Sequence, residues 1–112
     1  MQLRGRPKKY RIVRTDPKIS LFSPRGKPGR PDEAEITIDE YEAIRLADYM
    51  GLPQKEAAQS MHISQQTFSR ILKKAHKAVA KGLINGATIK IQGGQYVVTT
   101  HKDFQPNSYK KA

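Results

Sequence analysis

Two groups of apolar positions at helical spacing lie on either side of a short polar break near the middle of the chain. The positions that share a face are Ala57, Ala58 and Met61 in the first group and Phe68, Ile71 and Leu72 in the second. Ser64 lies where its side chain can accept a hydrogen bond from a backbone N–H one turn further on. The pattern predicts two helices joined by a tight turn, the second beginning at Gln65.

The turn between these helices contains His62, directly after Met61. Tight turns of this kind often need a positive φ, which Gly adopts freely and His adopts at a cost of about 1 kcal/mol. Ile63 follows and would fill the corner between the two helices. We therefore expect His62 in the left-handed region, with some strain.

Helices are also predicted before and after this turn. Thr37 and Glu40 form a capping-box pattern, so a helix should begin at Thr37 and end at Gly51. The helix from Gln65 should run to Asn85-Gly86, although Gly82 within it costs about 1 kcal/mol relative to Ala. Its apolar stripe is Phe68, Ile71, Leu72, Ala75, Val79 and Leu83, and its basic stripe is Lys73, Lys74, Lys77 and Lys81.

The two ends of the chain have different patterns. Thr88–Ile91 and Gln95–Thr99 flank a Gln-Gly-Gly sequence, which predicts a short β-hairpin that packs on the helices, pairs with residues 19–22, or pairs with another subunit. Residues 1–31 hold five of the seven Pro, so we expect an extended basic arm with one short strand near residues 19–22.

The expected fold is mainly α, with a helix-turn-helix in a three-helix core, a short C-terminal β-hairpin and an extended N-terminal arm. The predicted divisions are an arm at 1–31, a helix-turn-helix domain at 32–86, the hairpin at 87–100 and a flexible tail at 101–112.

The composition and the distribution of charge exclude some classes of function and favour others. The 112 residues include no Cys, which excludes disulfides, zinc fingers and thiol catalysis. The chain has no apolar run of about 18 residues and no signal-peptide pattern, so we expect no membrane partner and a cytoplasmic, nucleoid-associated protein.

The net charge of +11 is segregated: residues 1–31 carry ten Lys or Arg against one acid, residues 32–63 two against eight, and residues 64–112 nine against one. Basic ends around an acidic middle suit a domain that presents one face to a polyanion.

The outward face of the helix from Gln65 is long, polar and free of acids. In the major groove, Gln can pair with adenine and Arg with guanine. The candidates for reading bases are therefore Gln65, Gln66, Ser69, Arg70 and Lys73. The candidates for contacting DNA phosphates are Gln54, Ser64, Thr67, Lys74 and Lys77.

A second candidate for DNA contact lies at the start of the chain, in Arg4, Gly5, Arg6 and Pro7. A flat Arg-Gly-Arg-Pro core can lay both guanidinium groups along a narrow minor groove. This segment resembles the AT-hook and the minor-groove arm of the invertase family of recombinases. The alternative is a basic tail that touches phosphates without entering the groove.

Several motifs together resemble uncharacterised protein family 0251, also called domain of unknown function 134, a group of small bacterial and archaeal predicted DNA-binding proteins. The residues that carry the resemblance are Glu42–Asp48, Gly51-Leu52, Glu56–Ala58, Met61, Ser64–Ile71 and Ile89–Gly94. The resemblance implies a helix-turn-helix similar to region 4 of sigma factors, which reads promoter DNA in the major groove. The chain departs from the family in having Val13-Arg14 where relatives commonly carry a cysteine, and in its tail after Gly94.

These patterns favour a sequence-specific double-stranded DNA-binding protein that regulates transcription, acts as a homodimer, and needs no cofactor or metal. Catalysis is not expected, since His62, His76 and His101 have neither metal-ligand spacing nor a neighbouring nucleophile. Two alternatives stay open. One is an RNA-binding or ribonucleoprotein component, and the other is a protein adaptor that uses the same helix, for example against RNA polymerase.

Overall fold

The computed structural model describes residues 10–26 and 32–99. Its strands are β1 (Arg11–Val13), β2 (Leu21–Phe22), β3 (Glu33–Ile36), β4 (Thr88–Ile91) and β5 (Tyr96–Val98). Its helices are α1 (Ile38–Ile44), α2 (Gln54–Ser60) and α3 (Gln65–Asn85). α1 continues into a wider, π-helical turn at Arg45–Tyr49. These described residues form a small α/β domain.

The predicted helix boundaries are confirmed. The capping box at the start of α1 is complete: the Glu40 backbone N–H donates to Thr37 Oγ1 at 3.3 Å, and Glu40 Oε1 accepts from the Thr37 N–H at 3.0 Å. The end of α3 is capped by Gly86 in the left-handed conformation, with φ 62°. Gly82 within α3 is explained by packing, because a Cβ there would lie 2.6 Å from Ile89 Cγ1 on β4.

The predicted β-hairpin is wrong. β4 pairs antiparallel with β2 and parallel with β3, whereas β5 pairs parallel with β1 in a separate two-stranded sheet. The chain between β4 and β5 crosses the start of α1 instead of turning back, since the Ile38 N–H donates to the Gly93 carbonyl at 2.9 Å. Gly93 and Gly94 both have positive φ along this crossing. Of the three alternatives for this region, pairing with residues 19–22 is found, between β2 and β4.

Residues 10–26, which were expected to form part of an extended arm, pack on the rest of the domain, and the short strand expected near residues 19–22 is present as β2. Ile12 and Val13 of β1 are buried, and the Ile12 N–H donates to the Met61 carbonyl at 3.1 Å. The segment is too poor in apolar residues to fold alone, but α1, β5 and the end of α2 supply its partners. Residues 1–9 and 27–31, and the predicted tail at 101–112, lie outside the described residues.

β3 is a strand that the sequence analysis missed. It lies directly before α1, and its buried Ala34 and Ile36 alternate with exposed Glu33 and Glu35. β4 lies between β2 and β3, so residues from the predicted arm, helical domain and hairpin share one sheet.

The buried apolar residues form two clusters. The first joins the three helices and consists of Ala43, Leu46, Ala57, Ala58, Met61, Phe68, Ile71 and Leu72. The second joins the strands to α1 and to the second half of α3, and its buried members are Val13, Ile36, Ile38 and Ile91. α3 contributes to both clusters, so its orientation is fixed along most of its length.

A fully buried carboxylate, that of Glu42, connects these parts. Both of its oxygens accept hydrogen bonds from Arg45, at 2.9 and 2.8 Å, and Oε2 also accepts from the Arg14 backbone N–H at 3.1 Å. The Arg14 guanidinium in turn donates to the Ser60 carbonyl at 3.2 Å, at the C-terminus of α2. Glu42 therefore links the chain after β1 to α1, and Arg14 extends the link to the end of α2.

We expect Glu42→Gln to lower the free energy of unfolding by about 3–5 kcal/mol, because it leaves Arg45 and the Arg14 N–H without their buried anion. Urea unfolding followed by circular dichroism measures the change. Glu33→Gln, on the exposed face of β3, is the matched control and should stay within about 0.5 kcal/mol of wild type. Equal effects of the two substitutions would show that the buried carboxylate is not a major source of stability.

Candidate nucleic-acid interface

The turn between α2 and α3 presents the candidate interface. Ala57 and Ala58 are buried at the contact with α3, and Met61 closes the end of α2 with no exposed surface. The Ile63 N–H donates to the Ala58 carbonyl at 3.1 Å, which holds the chain in a tight turn. His62 has φ 58°, so the predicted left-handed residue is confirmed.

The first turn of α3 is fixed by its N-cap. Ser64 Oγ accepts from the Thr67 backbone N–H at 3.0 Å and donates to Thr67 Oγ1 at 2.9 Å. The predicted role of Ser64 as N-cap is confirmed. Both hydroxyl groups were also candidates for phosphate contact, and the cap already uses the hydroxyl hydrogen of Ser64.

The structure brings the five base-reading candidates onto one exposed surface. The inner face of α3 is buried and consists of Phe68, Ile71, Leu72 and Ala75. The outer face exposes the candidates Gln65, Gln66, Ser69, Arg70 and Lys73. At 100° per residue, Gln66, Arg70 and Lys73 lie near the centre of this face, and Gln65 and Ser69 lie to one side. We call these five residues, together with Lys74 and Lys77, the α3 surface.

The other candidates for phosphate contact lie on different elements and differ in exposure. Lys74 and Lys77 are exposed on α3, and Gln54 is exposed at the first position of α2. Thr67 is half-buried beside the cap. The segment Arg4–Pro7 lies outside the described residues.

Arg11 is a basic residue near this surface that the sequence analysis did not select. A groove of about 470 Å³ runs between the start of β1 and α3, and it is lined by Arg11, Thr67, Arg70, Ile71, Lys73, Lys74 and Lys77. The sequence feature that could have identified Arg11 as a DNA-contacting residue is the basic pair Lys8-Lys9 shortly before it. Its position beside α3 depends on the pairing of β1 with β5, which local patterns do not indicate.

The charges on α3 are all of one sign. The helix carries Arg70, Lys73, Lys74, Lys77 and Lys81 and contains neither Asp nor Glu. Three pairs of these cations stand four residues apart, and each such pair destabilises a helix by about 0.2–0.5 kcal/mol. A bound polyanion would remove this repulsion.

Acidic side chains border this positive surface without lying on it. Asp48 Oδ2 lies 2.6 Å from His76 Nε2, on the flank of α3 that faces the π-helical turn. Glu35 and Glu40 line a second groove of about 690 Å³ along the second half of α3. The first half of α3 is therefore the more uniformly positive part.

The pKa of His62 lies below its ordinary value. Partial burial of the imidazole is the larger cause, and the positive charge of Arg14 is the second. Protonation of His62 is therefore less favourable in the folded protein than in the unfolded chain.

Comparison with known proteins places this domain in a family. The family model described as "Protein of unknown function DUF134" matches residues 1–99, and the chain belongs to this family. A UPF0251 protein of Desulfosudis oleivorans is 48% identical over 95 residues, which cover 84% of this chain and 69% of that protein. A UPF0251 protein of Methanococcus maripaludis is 47% identical over 96 residues, covering 85% and 74% respectively. One from Prosthecochloris aestuarii is 48% identical over 91 residues, covering 80% of this chain and 59% of that protein.

No solved structure matches the chain. Among the described residues, no helix combines the length and apolar character needed to cross a membrane. In the same part of the chain, no three His, Asp or Glu side chains converge in a way that could hold a metal ion.

The lowered pKa of His62 predicts a dependence of stability on pH. Below about pH 6.5 the unfolded chain binds a proton at His62 more readily than the folded chain does, so stability should fall as the pH decreases. His62→Asn is the matched control, since Asn tolerates positive φ and does not titrate. Urea unfolding between about pH 7.5 and pH 5 should show a larger loss for wild type than for His62→Asn. Parallel curves would contradict this role of His62.

The repulsion on α3 predicts that a substitution can stabilise the protein. Lys77 stands four residues from both Lys73 and Lys81, so Lys77→Gln should raise the free energy of unfolding by about 0.5 kcal/mol at low salt. The gain should shrink at high salt, which screens the charges. Lys18→Gln, outside α3, should have no such effect. A loss of stability in Lys77→Gln, or a gain independent of salt, would show that repulsion on α3 is not significant.

Proposed function

We propose that the protein is a sequence-specific double-stranded DNA-binding protein in which α2, the turn and α3 form a helix-turn-helix. The observation that carries the proposal is the α3 surface. One face of the helix is packed in both apolar clusters, and the opposite face exposes glutamines, a serine, an arginine and lysines with no acid among them. A helix with this division can enter a major groove about 12 Å wide.

The exposed side chains have the chemistry for reading base pairs. Arg70 can donate two hydrogen bonds to a guanine, and Gln65 or Gln66 can both donate to and accept from an adenine. Ser69 can contact several bases, and Lys73 can reach a guanine. Since the hydrogen-bonded N-cap and the buried inner face hold α3, these side chains start from a fixed helix position.

Phosphate contacts would fix the register of α3 on the duplex. Lys74 and Lys77 continue the exposed face of α3 further along the helix, and Gln54 lies at the start of α2. Thr67 accepts a hydrogen bond from Ser64 and keeps its own hydroxyl hydrogen as a donor. We assign these four residues, with Ser64 as the cap, to the DNA backbone.

The Arg4–Pro7 segment would contact the minor groove next to the site read by α3. β1 begins at Arg11 beside α3, so the chain before it starts near the proposed DNA surface. The seven Cα–Cα steps from Arg4 to Arg11 can span at most about 25 Å, which is enough to reach an adjacent groove.

A homodimer that regulates transcription fits this arrangement. A single small domain reads few base pairs, so useful specificity favours two copies on a two-fold site. Leu21 and Phe22, on the edge strand β2, are about half exposed and offer apolar surface for a second copy. Contact with RNA polymerase is a further proposal for how such a regulator would act.

Selection from a random pool of double-stranded DNA tests the proposal, followed by titration of the enriched duplex at about 150 mM salt beside a structured RNA competitor. We expect a recovered motif that outcompetes the RNA, and a palindromic motif would support the homodimer. Absence of a motif, with equal or tighter binding to RNA, would reject the DNA-reading function in favour of an RNA-binding one.

On the selected site, Arg70→Ala should weaken binding by about 1–3 kcal/mol and relax specificity at one base pair. The physical reason is the loss of a two-donor contact with a base edge. Fluorescence anisotropy on the selected duplex and its single-base variants measures both effects. Arg25→Ala, outside the α3 surface, serves as the control for loss of one positive charge. An equal loss for Arg70→Ala on every sequence would make Arg70 a phosphate contact instead.

A further inference from the structure

We propose that Arg11 binds a phosphate of the DNA backbone beside α3 and so fixes where the basic N-terminal segment meets the duplex. This inference rests on the proposed DNA-binding function and deepens it. It adds a residue from a strand to the helical part of the proposed interface.

Two neighbours orient the Arg11 side chain. Its Nη1 donates to Gln95 Oε1 at 3.3 Å, and its Nε lies 3.8 Å from Asp39 Oδ2, which is within ion-pair distance but too long for a hydrogen bond. Gln95 stands just before β5 and Asp39 lies in the first turn of α1. The guanidinium is thus held between α1 and the residue before β5.

These contacts leave hydrogen-bonding capacity unused. Within the described residues, the buried Nε of Arg11 and Oδ1 of Asp39 have no hydrogen-bond partner. About a quarter of the Arg11 side chain is exposed, at 24%, and it lines the groove shared with Arg70 and Lys74. A structural arginine would be expected to use its donors on the protein. Arg11 instead leaves one donor without a partner among the described residues and about a quarter of its side chain exposed in a positively charged groove.

The charges favour a phosphate as the ligand of this groove. Arg11 adds a fifth positive side chain to Arg70, Lys73, Lys74 and Lys77 along its walls. Asp39 is buried behind Arg11 and offsets part of the repulsion in the free protein, so we assign it as a positioning residue. The groove follows α3 from Thr67 to Lys77, which suits a DNA strand whose bases are read by the same helix.

The consequence concerns the segment before Arg11. A phosphate held by Arg11 would anchor the chain at one side of the duplex, with Lys8 and Lys9 directly preceding it. Arg4 and Arg6 would then start from a fixed point beside the major-groove site. Anchoring at Arg11 would limit the positions that the N-terminal segment can occupy. The effective concentration of Arg4 and Arg6 at the neighbouring minor groove would therefore rise.

The test measures affinity and its salt dependence on a duplex for wild type, Arg11→Met, Arg11→Lys and the control Arg25→Met. We expect Arg11→Met to bind roughly tenfold more weakly on all sequences, with the slope of log K against log salt reduced by about one. Arg11→Lys should restore the slope, because it keeps the charge although it cannot reproduce the geometry with Gln95 and Asp39. Arg25→Met should behave as wild type.

Unfolding in urea shows whether each variant is folded under the binding conditions. Arg11→Gln, which can still hydrogen-bond Gln95, replaces Arg11→Met if the latter does not fold. Wild-type affinity and slope in the neutral variant would overturn the inference. Failure of Arg11→Lys to restore the slope would also overturn it, because the role of Arg11 would then be structural.

Arg70→Ala separates this outcome from failure of the proposed function. If Arg70→Ala loses specific binding while the neutral Arg11 variant binds as wild type, the DNA-reading function stands and the phosphate contact is rejected. If wild type shows no preference for duplex DNA over structured RNA, the function itself fails and the inference fails with it.

Discussion

The carboxylate of Glu42 is the constraint on which the arrangement of this domain depends. It is fully buried and accepts hydrogen bonds from Arg45 and from the Arg14 backbone. Because a buried charge is costly unless it is paired, the chain after β1, α1 and the end of α2 must remain in register around it. The guanidinium of Arg14 extends this link to Ser60, directly before the turn that starts α3.

This framework allows α3 to carry a destabilising charge pattern. A solvent-exposed helix with five cations and no acid would be poorly stable alone, but α3 is packed along both apolar clusters. The cap at Ser64 and the left-handed His62 fix its N-terminal end. The repulsion is thus tolerated in the free protein, and on our proposal DNA relieves it. Stability and binding should therefore respond oppositely to removal of charge from α3.

The helices were predictable because their signals are local. The Thr37–Glu40 capping box, Ser64 before Gln65 and Asn85-Gly86 each act within one helical turn. The strand pairing was not predictable, since β1 pairs with β5 more than eighty residues away in sequence and β4 pairs with two strands from the N-terminal half. The exposed face of α3 followed from periodicity, whereas the position of Arg11 beside it followed from that long-range pairing. Family membership supplies no function, because the relatives carry only uncharacterised names.

The most direct test of the central claim is to map the surface that DNA contacts. Backbone amide chemical shifts of isotope-labelled protein would be followed during titration with a duplex of about 20 base pairs, long enough for two half-sites. The account predicts the largest changes between Gln65 and Lys77 and at Arg11, with little change near Phe22 and Tyr49. Changes centred on Phe22 and Tyr49, with α3 unaffected, would contradict it.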